Sequence, residues 1–375
     1  MKNLIYYKTT ADFDNTGEVL IYKSLLEFLR QHGDVIINDG KSIQPKFLSR
    51  IGVRENEKLS HHTTLNFIPY MLCSSLIGLM KGQRFYFVTG VGEHSVCGLK
   101  SIIKNIASCC FLLLMRLLGV KIIRIGMSMR FGGGKLEYMS ETILSWLINY
   151  YYVRDSISLH NCRNAGVSKC QLAPDLSWGY QSHFKDTGID RKDVYMSFRY
   201  FCETKENSEK YKKKLVETIK QIVYGIAPQI EGNIIFSHQC DEDYDFMKEI
   251  YDQLSDVSNL TLCKELITLD NAAEYYGKAK YILSNRLHVL LLGYKYGAPT
   301  ICVSDIEKHR KIRGIFTDNG LQDVLLDFNT SSKQLLSQLA ALTENTVSLE
   351  HKILMVENQN WQKLDNIFKC IFTRK

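Results

Sequence analysis

Short runs of apolar and β-branched residues alternate along the chain with longer stretches whose apolar positions recur every three to four residues. That rhythm predicts βα units and a parallel sheet, because parallel neighbours must be joined by a crossover, usually a helix. In the first half it predicts strands at 3–7, 34–37, 85–89 and 121–125, with helices such as 18–30 and 99–118 between them. In the second half it predicts strands at 194–198, 233–237, 260–263, 281–284 and 300–303, with a helix over 208–224. Beyond Phe328 the pattern is helical, over 332–342 and 348–368.

Between the two β-rich halves, residues 172–193 read LAPDLSWGYQSHFKDTGIDRKD, a polar, turn-rich segment suited to a domain boundary. The expected organisation is an N-terminal Rossmann-like domain over 1–180 and a C-terminal one over 190–330. Helices over 331–375 follow, long enough to cross back to the first domain. The most apolar stretch, 106–125, is interrupted by Arg116, Gly119 and Lys121 and falls short of about 18 unbroken apolar residues. It reads as a buried helix followed by a strand, with membrane insertion the lesser alternative.

Length agrees with two domains, since 375 residues exceed what one core organises. With 45% hydrophobic and 23% charged residues, disorder and fibrous repeats are excluded. The net charge of +7 suits anionic small molecules or an anionic membrane surface, is modest for the length, and gives no reason to expect a nucleic-acid partner. Eleven cysteines without a C-x-x-C pair argue against a disulfide framework and a zinc site. Reduced thiols, and an opening apolar run too short for a signal peptide and soon followed by Asp12 and Asp14, set the expectation of a cytoplasmic protein.

Candidate chemistry concentrates in residues 284–300, SNRLHVLLLGYKYGAPT. A strand ends at Asn285 and an apolar helix begins with Arg286 and His288 in its first turn, where open α/β sheets bind anions. Arg286 offers a bidentate fork for phosphate or carboxylate, and His288 exchanges protons near neutral pH. Taken alone, Arg-x-His is better explained as two side chains satisfying loop carbonyls at a helix start. Arg199, ending the strand DVYMSFR, is the second fork, and two forks imply an acceptor with more than one anionic group. His238 also follows a strand but is better explained as structural.

In the first half, Asn15, Gly17 and Glu18 lie between strand one and helix one, where Gly17 fits a tight turn. Gly90 and Gly92, and the later run Phe131-Gly132-Gly133-Gly134, open the backbone to a ligand, and turn chemistry explains each as well. Neither completes a dinucleotide or Walker loop. Arg154 and Asp155 form an expected ion pair, with Asp155 capping the helix that starts at Ser156. G-x-S-x-G, H-E-x-x-H and zinc-deaminase spacings are absent, which removes the common hydrolases and deaminases.

In order, N-T-G-E at 15–18, V-R-D-S-I-S at 153–158, A-P-D at 173–175, M-S-F-R at 196–199, S-N-R-L-H at 284–288 and G-A-P-T at 297–300 span most of the chain. Lys308, Lys311 and Asn319-Gly320-Leu321 follow. This series resembles the polysaccharide pyruvyl transferase family. Glu18 stands where the family usually has Asp, and GMSMRFGGG is less regular than its glycine-rich stretch.

The resemblance implies an α/β fold of two Rossmann-like domains with parallel sheets in a GT-B-like arrangement, the first on the acceptor side and the second on the donor side. It implies phosphoenolpyruvate as donor substrate, no separate cofactor and no metal. The acceptor would be a sugar of a capsule, exopolysaccharide or other cell-surface glycan, or its lipid-linked oligosaccharide precursor. His288, Arg286 and Arg199 would be catalytic. Asn15, Gly17, Glu18, Gly90, Gly92, His238, Lys308 and Lys311 would bind substrate. A lipid-linked acceptor adds the expectation of peripheral contact at the inner face of the membrane. Two other readings stay open: a GT-B-like glycosyltransferase using a nucleotide sugar, and a non-catalytic anion-binding protein of a glycan assembly complex.

Overall fold

The structure is a computed structural model that describes residues 3–9, 15–40, 43–182, 190–200, 208–344 and 346–373. The chain divides into two compact units. One comprises Met1–Phe13, Glu18–Tyr180 and Asn360–Lys375; the other comprises Asp14–Gly17 and Gln181–Gln359. Part of the turn-rich segment 172–193, residues 183–189, lies outside the described residues.

The first unit is built on seven strands: β1 (Asn3–Tyr7), β2 (Gly33–Ile37), β3 (Phe85–Val88), β4 (Gly92–Val96), β5 (Lys121–Phe131), β6 (Tyr150–Val153) and β7 (Gln171–Leu172). All pairings are parallel, in the order β2-β1-β3-β5-β6-β7 with β4 also beside β5. β5 is long enough to hold β3 along Lys121–Ile123 and β4 along Met127–Phe131. Between those stretches Gly126 sits at φ +78°, and a Cβ there would lie 2.3 Å from Leu176 Cδ1, so only glycine fits the bend.

Two sequence motifs knit this unit together. Asp155 caps the helix Ser156–Asn164 by accepting from Ser158 N at 2.6 Å, as the sequence predicts. Arg154, however, pairs with Asp175 of the A-P-D motif, Nη1 to Oδ2 at 3.1 Å, and donates from Nε to Ser128 Oγ at 2.8 Å. Asp155 is not its ion-pair partner, because its carboxylate is taken up by Ser158 and Ser128. The glycine run 132–134 is likewise occupied from within: Glu137 accepts from Gly98 N at 2.5 Å and Gly134 N at 3.0 Å. Those backbone N–H groups hold the Glu137 carboxyl below its ordinary range.

The helix Gly98–Leu117 corrects the expectation of a buried apolar helix. Only Asn105, Leu112 and Met115 on it are buried. Leu99, Ile103, Ile106, Leu113, Leu114 and Leu117 are exposed, Leu99 at 69% and Leu117 at 71%. By length and composition it could cross a membrane.

The second unit carries β8 (Asp193–Ser197), β9 (Ile234–Phe236), β10 (Leu260–Leu262), β11 (Ala279–Ser284), β12 (Thr300–Ser304) and β13 (Leu325–Asp327), all parallel, in the order β10-β9-β8-β11-β12-β13. The strands are short and apolar on both faces, as a sheet covered by helices on both sides requires. The terminal helix Thr346–Thr373 belongs to this unit in its first half and, from Asn360, to the first unit. There Phe368 stacks on Phe28 at 4.7 Å between ring centroids and Phe372 on His32 at 4.8 Å.

Candidate functional site

In the second sheet the chain steps outward from β8 to β9 to β10, then returns to the other side of β8 with β11 and continues to β12 and β13. The direction reverses between β8 and β11, and ligands of open α/β sheets bind beyond the carboxyl ends of strands at such a point. Residues 197 and 284 are register partners there. Arg199 and Arg286 therefore leave adjacent strand ends two residues further on.

Asn285, 1% exposed, fixes that corner. Its Oδ1 accepts from Arg199 N at 2.8 Å and its Nδ2 donates to Arg199 O at 2.9 Å, so the backbone of Arg199 is clamped from both sides. Ser284 Oγ accepts from Arg286 N at 2.9 Å and donates to Ser197 O.

The Arg286 guanidinium grips Asp243, in the first turn of the helix Asp241–Tyr251 after β9. Nη2 donates to Oδ1 at 2.5 Å and Nε meets Oδ2. Burial pushes the Asp243 carboxyl up, while Arg286, and after it Arg199, pull it down. Arg286 is thus held in one orientation by a buried carboxylate, with Nη1 outside the pair.

Arg199 also lies in the field of His309. Burial, together with the positive charges of Arg199 and Lys311, holds His309 down to about 3, so its imidazole is neutral at neutral pH. Its Nδ1 is buried with no hydrogen-bond partner among the described residues. Lys308 sits nearby in sequence but turns outward, its side chain 78% exposed and paired with Asp305 at 2.9 Å.

His288 lies in the first turn of the helix Leu287–Tyr294, which opens without a side-chain cap. Residues 15–17 are part of this same unit. Asn15 bridges Cys240, Thr16 N donates to Gln239 O at 2.9 Å, and Thr16 Oγ1 donates to Ile267 O at 2.8 Å. Asn15 Oδ1 accepts from Gly17 N at 3.0 Å. This seats Gly17 against the imidazole: a Cβ on Gly17 would lie 2.4 Å from His288 Nδ1 and 2.7 Å from His288 Cβ. The close approach requires glycine, and it joins the first sequence motif to the fifth.

The structure thus brings Arg199, Arg286, Lys311, His309 and Asp243 to one end of the second sheet, with His288, Gly17 and Asn15 at its helix start. His238, 3% exposed, is packed edge-on to Tyr244 at 5.0 Å between centroids, and burial lowers it. Its contacts are those of a core histidine. Glu18, Gly90 and Gly92 belong to the first unit, the two glycines at the joint between β3 and β4. Asn285, Asp243 and His309 were not among the sequence candidates. Asn285 stood inside the S-N-R-L-H motif, and Asp243 in an acidic helix start after a strand. His309 carried no signal beyond its neighbours Lys308 and Lys311.

The sequence model of the polysaccharide pyruvyl transferase family matches residues 15–305, from the Asn15 motif through β12. This chain belongs to that family. The pyruvyl transferase match ends within a few residues of His309, so every member of the corner except His309 and Lys311 lies inside it. No curated protein matches the sequence.

Solved structures match in fold. A glycosyltransferase from Rickettsia africae aligns with TM-score 0.59 at 11% identity over 100% of both chains. A putative UDP-N-acetylglucosamine 2-epimerase from Listeria monocytogenes aligns with TM-score 0.57 at 11% identity over 98% of this chain and 97% of that one. The UDP-GlcNAc 2-epimerase from Methanocaldococcus jannaschii aligns with TM-score 0.55 at 14% identity over 91% and 92%. Identities this low carry the fold alone: this pyruvyl transferase family member is an α/β protein of the GT-B kind.

Proposed function

We propose that this transferase of polysaccharide biosynthesis takes the enolpyruvyl-derived group from phosphoenolpyruvate. The acceptor is a sugar of a cell-surface polysaccharide or its lipid-linked precursor, and the product is a pyruvate ketal. The observation that carries the reading is the pair Arg199 and Arg286 just beyond the ends of neighbouring strands β8 and β11, with His288 in the first turn of the helix that Arg286 precedes. A donor bearing both a carboxylate and a phosphate matches two guanidinium groups.

The reaction needs a proton on the enol methylene, which leaves an oxocarbenium-like carbon that a sugar hydroxyl attacks with loss of its own proton. The C–O bond to phosphate then breaks, phosphate leaves, and a second sugar hydroxyl closes the ketal with loss of its proton. His288 is the proton-transfer residue in this proposal. Arg199 and Arg286 hold the carboxylate and stabilise the departing phosphate, with Lys311 adding positive charge. Asp243 and Asn285 keep the two arginines oriented, and Gly17 sets the position of the imidazole. Lys308, paired and outward, contributes less. The same reading puts the reaction in the cytoplasm, where a lipid-linked precursor is presented at the inner face of the membrane.

Ligand-induced stabilisation tests the donor. Phosphoenolpyruvate at about 100 times its dissociation constant is expected to stabilise the protein by about 2.7 kcal/mol, and Arg199→Ala to remove most of that shift. The solved neighbours named as UDP-N-acetylglucosamine enzymes supply the control. Stabilisation by UDP-N-acetylglucosamine and none by phosphoenolpyruvate would replace this proposal with a nucleotide-sugar transferase.

A further inference from the structure

We propose that the outer surface of three helices of the first unit, Phe67–Met80, Gly98–Leu117 and Lys135–Leu147, lies on an anionic lipid bilayer. The helices share one core: Phe67 and Met71, Leu112 and Met115, and Leu144 pack into a single cluster with sheet residues such as Phe85, Phe87 and Ile122. Their opposite sides stay apolar where a solvated helix would be polar. Met80 is 79% exposed, Leu117 71% and Trp146 58%, and Ile68, Leu76, Leu136 and Met139 extend the surface. Large exposed apolar residues are far fewer in the second unit, where Tyr224, Val347, Leu354 and Met355 are the described ones. A continuous apolar surface of this kind marks an interaction site.

The surface is one patch. Leu79 Cδ1 lies 3.2 Å from where a Cβ on Gly119 would stand, which sets the end of the first helix beside the end of the second. Arg116 Nη1 donates to Trp146 O at 3.0 Å, joining the ends of the second and third.

Charge identifies the occupant. The helix Phe67–Met80 has no charged residue and is followed by exposed Lys81. On the other two, the exposed charges are Lys100, Lys104, Arg116 and Lys135, all basic. Their acids, Glu137 and Glu141, point inward: Glu137 caps backbone N–H groups and Glu141 accepts from Arg124, Tyr151 and Asn105. Apolar side chains interleaved with lysine and arginine, and a tryptophan at the margin, fit the headgroup boundary of an anionic membrane.

The helix Gly98–Leu117 lies on such a surface and does not span it. Asn105 Nδ2 is bonded to Ser140 Oγ and Glu141 Oε2 at 3.1 Å each, and Met115 is fully buried in the core. Crossing a bilayer would tear those contacts out.

Sedimentation of the full chain with vesicles tests this without any substrate, so its outcome is separate from that of the donor assignment. Binding is expected to phosphatidylcholine vesicles containing phosphatidylglycerol, weaker to phosphatidylcholine alone, reduced by salt and reversed by alkaline carbonate. Ile103→Glu with Leu117→Glu is expected to lower vesicle affinity about tenfold or more at an unchanged melting temperature. Should that pair melt early, Lys100→Glu with Lys104→Glu decides, with a comparable loss on anionic vesicles expected. Wild-type protein left in solution with anionic vesicles, or undiminished binding by the folded variants, overturns the proposal. So does a wild-type dimer that the Glu variants dissociate with no vesicle binding, or a carbonate-resistant protein.

Discussion

Replacing His288 with alanine is expected to slow pyruvyl transfer by about 10²–10⁴-fold, the usual worth of a positioned general acid or base. Phosphoenolpyruvate should still stabilise the variant, because Arg199 and Arg286 and their partners Asn285 and Asp243 are untouched. A second variant separates chemistry from position. Gly17→Ala keeps the imidazole but places a methyl carbon 2.4 Å from His288 Nδ1 and 2.7 Å from its Cβ, so the ring must move. A displacement of that order costs about 10²-fold in a positioned reaction. Phosphate release measured alongside thermal unfolding checks both. Near-normal turnover in His288→Ala removes that residue from the mechanism, and near-normal turnover in Gly17→Ala removes the positioning role of the glycine.

Asp175→Ala is expected to cost the first unit about 3–5 kcal/mol of stability, because it strands a buried arginine. Arg154 is 5% and Asp175 1% exposed, and Asp175 also accepts from Ser177 N at 2.9 Å and Ser177 Oγ at 2.6 Å. The three tryptophans, Trp146, Trp178 and Trp361, all belong to the first unit, so urea unfolding followed by their fluorescence reads that unit. A loss under about 1 kcal/mol would mean that Arg154 finds another partner or that water reaches it.

The sequence was most legible where hydrophobicity and chemistry coincide. β8 and β11 are apolar runs, and the charged residue two positions past each, Arg199 and Arg286, marks its carboxyl end. β4, with the residues GEHSV, was hidden because its polar side chains carry no β pattern, and β7 and β13 are too short to show one. The helix Gly98–Leu117 misled for a different reason. Apolar composition predicts burial only for a helix that packs against protein on all sides, and this helix packs on one side alone. Arg154 chose the distant Asp175 over the adjacent Asp155, since the Asp155 carboxylate is already taken up by Ser158 and Ser128 as a helix cap. Asp243 was invisible as a partner because pairing across strands is set by strand order. Gly17 could be read as a turn glycine, but its contact with His288, 271 positions on, could not.

The central claim is the identity of the donor and of the bond made. Incubation of the full chain with phosphoenolpyruvate and candidate glycan or lipid-linked acceptors, read by mass spectrometry together with released phosphate, tests it most directly. The account predicts one pyruvyl group gained by the acceptor for each phosphate released, and loss of both with His288→Ala. A sugar transferred from a nucleotide sugar, with phosphoenolpyruvate left intact across the acceptors, would contradict it.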